Sequence, residues 1–394
     1  MHILFFLAQT LVMQQAAGTS LNPQSAPMSM IMLEDGKWTI MLHGQAFIDN
    51  TNGSGPRGDN KFFSTNWFMA SASRPLWGGT LAFRSMLSLE PATITDRSYP
   101  ELFQTGETAF GKQLIDAQHP HDFFMELAAE YVFKNFYVYA APVGDPALGP
   151  VAFPHRASAA ELPTAPITHH MLDSTHISFN VITAGVKWKP LIVEASAFHG
   201  HEPDENRWDI DGGGIDSWSW RVRLQPARDL DLQVSAAKLS HPEAVEPGFQ
   251  RRTTASISYT LGTWSSTVAW GRVFKEAHGQ DLDGYLGETV YRFLGRNYIT
   301  ARAEIADKDE LFPHPVLPVV PKPPIPARVF RVHAYTLGYT FDLLQTAWGQ
   351  VGLGADASRY QFPSILKFFY GAHPHTVDVF LRLRLGTSMH HHMM

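Results

Sequence analysis

The chemistry available to this chain rests on its 19 histidines, because it has no cysteine at all. Without thiols there is no disulfide framework and no thiolate metal site. Many of the histidines fall in clusters beside acidic residues. His119, His121 and Asp122 form the first group, and His155 beside Arg156 the second. The third is His169 and His170, followed by Asp173 and His176. The fourth is His199 and His201, leading into Glu202, Asp204, Glu205, Asp209 and Asp211. Neutral imidazole with carboxylate suits Zn²⁺, Cu²⁺ or Ni²⁺. No group has a closed ligand spacing such as HExxH. Histidines hydrogen-bonded to Asp and Arg without metal are therefore the first expectation, and metal or solute contact the second. The run Glu202 to Asp211 reads first as a solvated acidic loop and second as a divalent-cation site.

A different donor set lies at the chain ends. Met389, His390, His391, His392 and Met393 close the sequence, and Met28, Met30 and Met32 alternate near its start. Thioether with imidazole favours copper, and thioether suits Cu(I) in particular. The opposing expectation is a tail without a role. Asp173-Ser174-Thr175-His176 has the residue types of a hydrolase, but its spacing matches no nucleophile motif, so no enzyme is expected. No cofactor is expected beyond copper or another divalent metal.

The elements that must position these groups are strands. In 376–385 (TVDVFLRLRL), Val377, Val379, Leu381, Leu383 and Leu385 share one face and Asp378, Arg382 and Arg384 the other. Segments 216–224, 254–259 and 298–305 repeat this scheme, with Arg221, Arg223, Arg302 and Glu304 on the polar side. Long and short connections alternate along the chain. Loops 51–60, 91–119, 144–172, 200–214, 241–250, 307–327 and 358–374 are long, while turns such as 134–135, 187–190, 226–229, 294–296 and 342–345 are short. Aromatic residues cluster beside the short turns: Trp77, Phe133, Phe136, Trp188, Trp264, Phe293, Tyr298, Phe341 and Trp348. Such a girdle marks a membrane interface.

The pattern predicts an all-β fold: a transmembrane antiparallel β-barrel of about 16 strands, with long extracellular loops and short periplasmic turns. Closure requires the strand at 38–50 to pair with 376–385, because an open edge in lipid leaves backbone groups unpaired. The composition agrees. Hydrophobic residues make up 44% and charged residues 17%, and the mean hydropathy of -0.14 is too polar for a helical membrane protein. A net charge of -6 argues against nucleic acid as a partner. Bacterial outer-membrane lipid is the expected surrounding, with metal ions or a periplasmic protein as further partners. All four histidine groups should lie at the extracellular mouth. Glu194, Arg221, Arg223, Arg302, Glu304, Arg382 and Arg384 should line the lumen, either biasing a pore toward anions or pairing across strands to stabilise the wall.

Residues 1–18 read as an export signal: an apolar core from Ile3 to Met13, then Ala16-Ala17-Gly18 near a cleavage point. Residues 19–37 read as a periplasmic Met-containing stretch, 38–386 as the barrel and 387–394 as a Met/His-rich tail.

Several stretches carry a resemblance: QTGETAFGKQLIDAQHPHDFFMELAAEY, GDPALGPVAFPHRASAAELPTAPITHHMLDSTHISF and FHGHEPDENRWDID, with RTTASISYT and KDELF later. From about Trp38 onward the chain resembles a bacterial outer-membrane β-barrel family, itself without a settled function, that accompanies copper-resistance systems. The resemblance implies a barrel, an outer-membrane address and a link to copper handling, and it transfers no catalytic residue. The combined expectation is a porin-like channel or transport barrel tied to copper or other metal tolerance, its long loops folded over or into the lumen. The alternative is a non-conducting envelope scaffold that sequesters metal or docks a periplasmic partner.

Overall fold

A computed structural model of the protein describes residues 15–244, 248–277, 279–312 and 329–389. In chain order the strands are β1 (Met28–Asp35), β2 (Trp38–Gly53), β3 (Asn60–Leu76), β4 (Gly79–Leu87), β5 (Tyr99–Ala109), β6 (Lys112–Gln118) and β7 (Phe124–Phe133). There follow β8 (Phe136–Gly144), β9 (Ser178–Trp188), β10 (Leu191–His199), β11 (Ser217–Ala227), β12 (Leu230–Ser240), β13 (Phe249–Leu261) and β14 (Trp264–Lys275). The last are β15 (Gln280–Phe293), β16 (Asn297–Lys308), β17 (Phe330–Gln345), β18 (Gly349–Gln361), β19 (His375–Leu385) and β20 (Thr387–Met389). Three one-turn helices sit in the loops: α1 (Glu90–Thr93), α2 (His169–Leu172) and α3 (Lys367–Tyr370).

The strands β2–β4 and β7–β19 make one closed antiparallel barrel of 16 strands. The closing pair is β2 with β19, in register from Gly53↔Thr376 to Gln45↔Arg384, as the sequence predicts. Below Gln45 the two strands part, and a wedge fills the gap. There β1 pairs with β2 (Ile31↔Leu42 to Asp35↔Trp38) and also with β20 (Met28↔Met389). Gly386, at φ +78°, lets the chain step from β19 into β20, and a Cβ there would stand 2.4 Å from the Met30 backbone. The wedge leaves neither seam strand with a bare edge, which satisfies the bilayer's demand for paired backbone groups.

The alternation resolves as expected. Val379 is 48% exposed on the outer wall, while Asp378 and Arg382 on the same strand are buried inside. A closed barrel with an apolar outer face and a polar interior is an outer-membrane barrel. Trp77, Trp188, Trp264 and Trp348 are exposed on the outside near the short turns. Tyr298 departs from the predicted girdle: it points inward, is buried, and donates to Asp342 Oδ2 at 3.0 Å.

Several boundaries differ from expectation because paired strands outrun their hydrophobic signal. β2 and β3 continue through polar residues to Gly53 and Asn60, which shrinks the expected loop 51–60. β17 extends to Gln345, so that turn falls at 346–348. The long connection after β4 carries its own hairpin, β5–β6, which the sequence reading does not contain.

Candidate functional site

The inward-facing arginines are the first feature of the lumen. Arg221 and Glu194 are register partners on β11 and β10, joined Nε to Oε2 at 2.9 Å. Arg302 donates to Glu288 across β15–β16 at 3.1 Å, and Arg223 to Asp231 at 2.8 Å. Arg382 bonds both Glu161 and Asp342, and Arg384 reaches Glu161 at 3.0 Å. Glu304 accepts from the Thr168 backbone N–H (3.0 Å) and hydroxyl (2.9 Å). The predicted lumen-lining residues do face inward. Every arginine among them is nonetheless tied up in an ion pair, and a buried arginine released from its partner leaves an uncompensated charge.

Two of these partners, Glu161 and Thr168, come from a segment that crosses the lumen. The connection 145–177 between β8 and β9 turns inward and touches the wall on opposite sides. The Ala147 N–H donates to Ser196 on β10 (2.8 Å), and that of Gly149 to Ser235 on β12 (2.9 Å). Ser158 donates to Thr267 on β14 and to Glu288 on β15, both at 2.8 Å. Thr65 on β3 donates to the Pro163 carbonyl at 3.0 Å. Arg156 is the hub: it is 1% exposed, with Nε 2.5 Å from Glu288, and Nη1 2.9 Å from both Asp173 and the Val151 carbonyl.

A second segment fills the short-turn end from within. Arg84 donates to the Gly18 carbonyl (2.8 Å) and to Gln15 (2.6 Å), and Gln15 donates to Glu130 (2.9 Å). Arg221 reaches Thr19 (3.0 Å), and Asn22 donates to the His155 carbonyl (3.0 Å). Gln15–Asn22 is buried throughout. The end of the predicted export signal and the start of the stretch expected in the periplasm thus lie inside the lumen, bonded to the wall. A cavity of about 120 Å³ is lined by Asn22, His155, Trp67 and Tyr298 among others.

Three of the four histidine groups expected at the extracellular mouth lie buried among the loops that fold into the barrel. The rings form one chain of contacts: His119–His170 at 5.9 Å, His170–His169 at 5.2 Å, His169–His176 at 5.4 Å and His176–His121 at 5.2 Å between centroids. Nitrogens of His119, His169 and His170 lie within 4.8 Å of one another. His119 Nε2 is 2.9 Å from Glu107, and His169 Nδ1 is 2.8 Å from Asp173. Burial pushes the Asp173 carboxyl up, but Arg156 and His169 outweigh it and hold it at about 2. Burial pushes His170 and His176 well below the ordinary histidine range, reinforced by neighbouring histidines, so both are neutral. Burial also lowers His121, but Glu90, 3.0 Å away, overcomes it and raises the ring. Asp122 pairs with Arg207 at 3.1 Å and is pushed up to about 7 by burial.

His155 stands apart from this chain, edge-on to Trp67 at 4.3 Å. His199 and His201 stack on each other at 6.2 Å on a separate loop, His199 with Asp216 at 3.1 Å and His201 with the Glu202 carbonyl at 2.6 Å. Asp204, Asp209 and Asp211 gather on the same loop, Asp204 and Asp209 exposed and Asp211 half-buried. Ser174 bonds Arg252 (2.6 Å) and Glu202 (3.5 Å). At the seam Met28 and Met389 are backbone partners, while His390, His391, His392 and Met393 lie outside the described residues. The sequence reading missed the acidic partners Glu90, Glu107, Glu161 and Glu288, since pairing across the lumen leaves no local signal.

No protein-family model and no curated sequence matches the chain. Solved structures match over most of its length. An anion-selective porin from Comamonas acidovorans aligns with 11% identity, covering 88% of this chain and 100% of its own, at a TM-score of 0.58. OmpT of Vibrio cholerae aligns with 8% identity, 90% and 100% coverage and a TM-score of 0.55. The outer-membrane channel DcaP of Acinetobacter baumannii aligns with 8% identity, 89% and 98% coverage and a TM-score of 0.54. What this chain shares with them is the porin-like barrel fold.

Proposed function

We propose that this protein is a porin-like permeability barrel held shut by its own loops, serving tolerance to copper or another transition metal. The observation that carries the reading is the crossing of the lumen by residues 145–177. That segment is bonded to strands on opposite sides of the barrel through buried Arg–carboxylate and hydroxyl contacts. Passage of a solute requires this segment, and Gln15–Asn22 beneath it, to move. The metal link is supported by the inward histidine chain and by the Met-rich strand β1 beside the C-terminal strand β20. The filled lumen also favours a second reading, a non-conducting scaffold that holds metal or docks a periplasmic partner.

Single-channel recording in a planar bilayer separates them. The full chain should be silent or open rarely, and a variant with 15–22 and 150–170 both replaced by short Gly/Ser linkers should conduct steadily. Silence from the folded linker variant rejects the permeability barrel in favour of the scaffold.

A further inference from the structure

We propose that His119, His169 and His170 form a binding site for one divalent late-transition-metal ion of the Zn²⁺/Cu²⁺ type, and that the ion staples two lumen-filling loops together. This deepens the metal link of the reading above and rests on it, whereas the closed barrel itself stands or falls on conductance. His119 follows hairpin β5–β6, whereas His169 and His170 open α2 in the 145–177 segment. The two loops are joined here by imidazoles, and one ion would replace that contact with coordinate bonds.

The geometry fits. Three nitrogens within 4.8 Å of one another surround a point that each can reach by sub-ångström movements, since Zn–N bonds are about 2.0–2.1 Å. Three histidines plus one open position is a common arrangement for catalytic or exchangeable zinc. Borderline nitrogen donors select late first-row cations over Ca²⁺ or Mg²⁺.

The protonation pattern fits as well. If His169 Nδ1 carries its proton toward Asp173, 2.8 Å away, the Nε2 lone pair faces away from that carboxylate. A carboxylate behind a ligating histidine is the usual orienting partner, and Asp173 is itself anchored by Arg156 at 2.9 Å. His170 Nε2 is buried and has no hydrogen-bond partner among the described residues. Its ring is seated on Gly106: a Cβ there would stand 2.4 Å from the His170 ring, and Gly106 has φ +123°. The backbone of β5 is thus shaped around an imidazole that otherwise makes no polar contact through that nitrogen. Glu107 stands 2.9 Å from His119 Nε2 and is itself paired with Arg207.

The test is hydrogen exchange by mass spectrometry on the full chain in detergent, with and without Zn²⁺, and with Ca²⁺ as a hard-cation control. Zn²⁺ should slow exchange at least about tenfold in peptides covering both 112–122 and 166–175, and Ca²⁺ should not. Zn²⁺ held by the terminal histidines or by the acidic loop leaves those two segments unchanged, and that result overturns the proposal. In the folded H119Q/H170Q variant, checked by its heat-dependent gel migration, the Zn²⁺ effect should vanish. Persistence of the effect there also overturns it. If the variant does not fold, the wild-type comparison still decides. Loss of the site by these measurements leaves the conductance result untouched, so the two readings fail separately.

Discussion

Replacing Arg156 with methionine should release the lumen segment without unfolding the barrel. Arg156 is fully enclosed and serves Asp173, Glu288 and the Val151 carbonyl at once. In the variant Glu288 keeps Arg302 at 3.1 Å and Ser158 at 2.8 Å, and Asp173 keeps His169 at 2.8 Å. Each carboxylate therefore loses its strongest compensation but not all of it. Removing one member of a buried ionic cluster costs about 3–5 kcal/mol. Here the cost falls on the docking of 145–177, since the wall keeps its ladder of backbone hydrogen bonds. At about 1.4 kcal/mol per factor of ten, the released population should rise by roughly 10²- to 4 × 10³-fold. Hydrogen exchange in 145–177 reads this directly, with peptides from β11 and β13 as an internal reference. The double variant R156M/D173N should recover part of the loss, because it removes a stranded carboxylate while the new amide oxygen still accepts from His169. Unchanged protection of 145–177 in R156M would refute the view that buried ion pairs hold the segment in place.

Three further outcomes follow from the same structure. Val379→Arg places a charge on the outer wall midway along β19 and should cost about 2–4 kcal/mol in barrel unfolding, with no change in lumen exchange. Gly386→Ala meets both a positive φ and the Met30 backbone at 2.4 Å. It should lower barrel stability by about 1–3 kcal/mol and loosen the β1–β20 pairing, read by thermal unfolding and exchange at 28–35. His155 is held neutral, its ring pushed well below the ordinary histidine range by burial and then by His43, His176 and His121. As pH falls below about 6.5 a released loop takes up a proton that the docked loop refuses, so docking weakens by about 1.4 kcal/mol per pH unit from this group. Protection of 145–177, corrected for the intrinsic pH dependence of amide exchange, should therefore fall as pH drops from about 6.5 to 5.5, and His155→Phe should lessen that fall, the share of His170 and His176 remaining.

The wall was legible because a barrel strand writes its environment in every second residue. Val377, Val379, Leu381 and Leu383 face lipid, and Asp378 and Arg382 face inward, so the register of β19 follows from the sequence alone. Loop alternation then gave the strand count and the closing pair. What fills the barrel was not legible. Arg382 on β19 meets Glu161 more than two hundred residues away, and Arg84 on β4 meets Gln15 and Gly18. Such pairs leave no periodic trace. One signal was available: the segment GDPALGPVAFPHRASAAELPTAP is rich in Ala, Pro and Leu and poor in charge for a loop facing water. Buried loops need apolar residues of this kind. The histidines were found by type, but only the fold shows that His119, His169 and His170 converge while His199 and His201 pair elsewhere.

The absence of cysteine makes a direct test of the sealed lumen simple. Thr254 lies on the inner wall of β13, 1% exposed, beneath the crossing segment. A T254C variant should react with a water-soluble thiol reagent at least about a hundredfold more slowly than D209C on the exposed loop, since reaction waits for local opening. It should accelerate when combined with R156M. Equal rates for T254C and D209C in the folded barrel would contradict the account, because water would then already reach the inner wall.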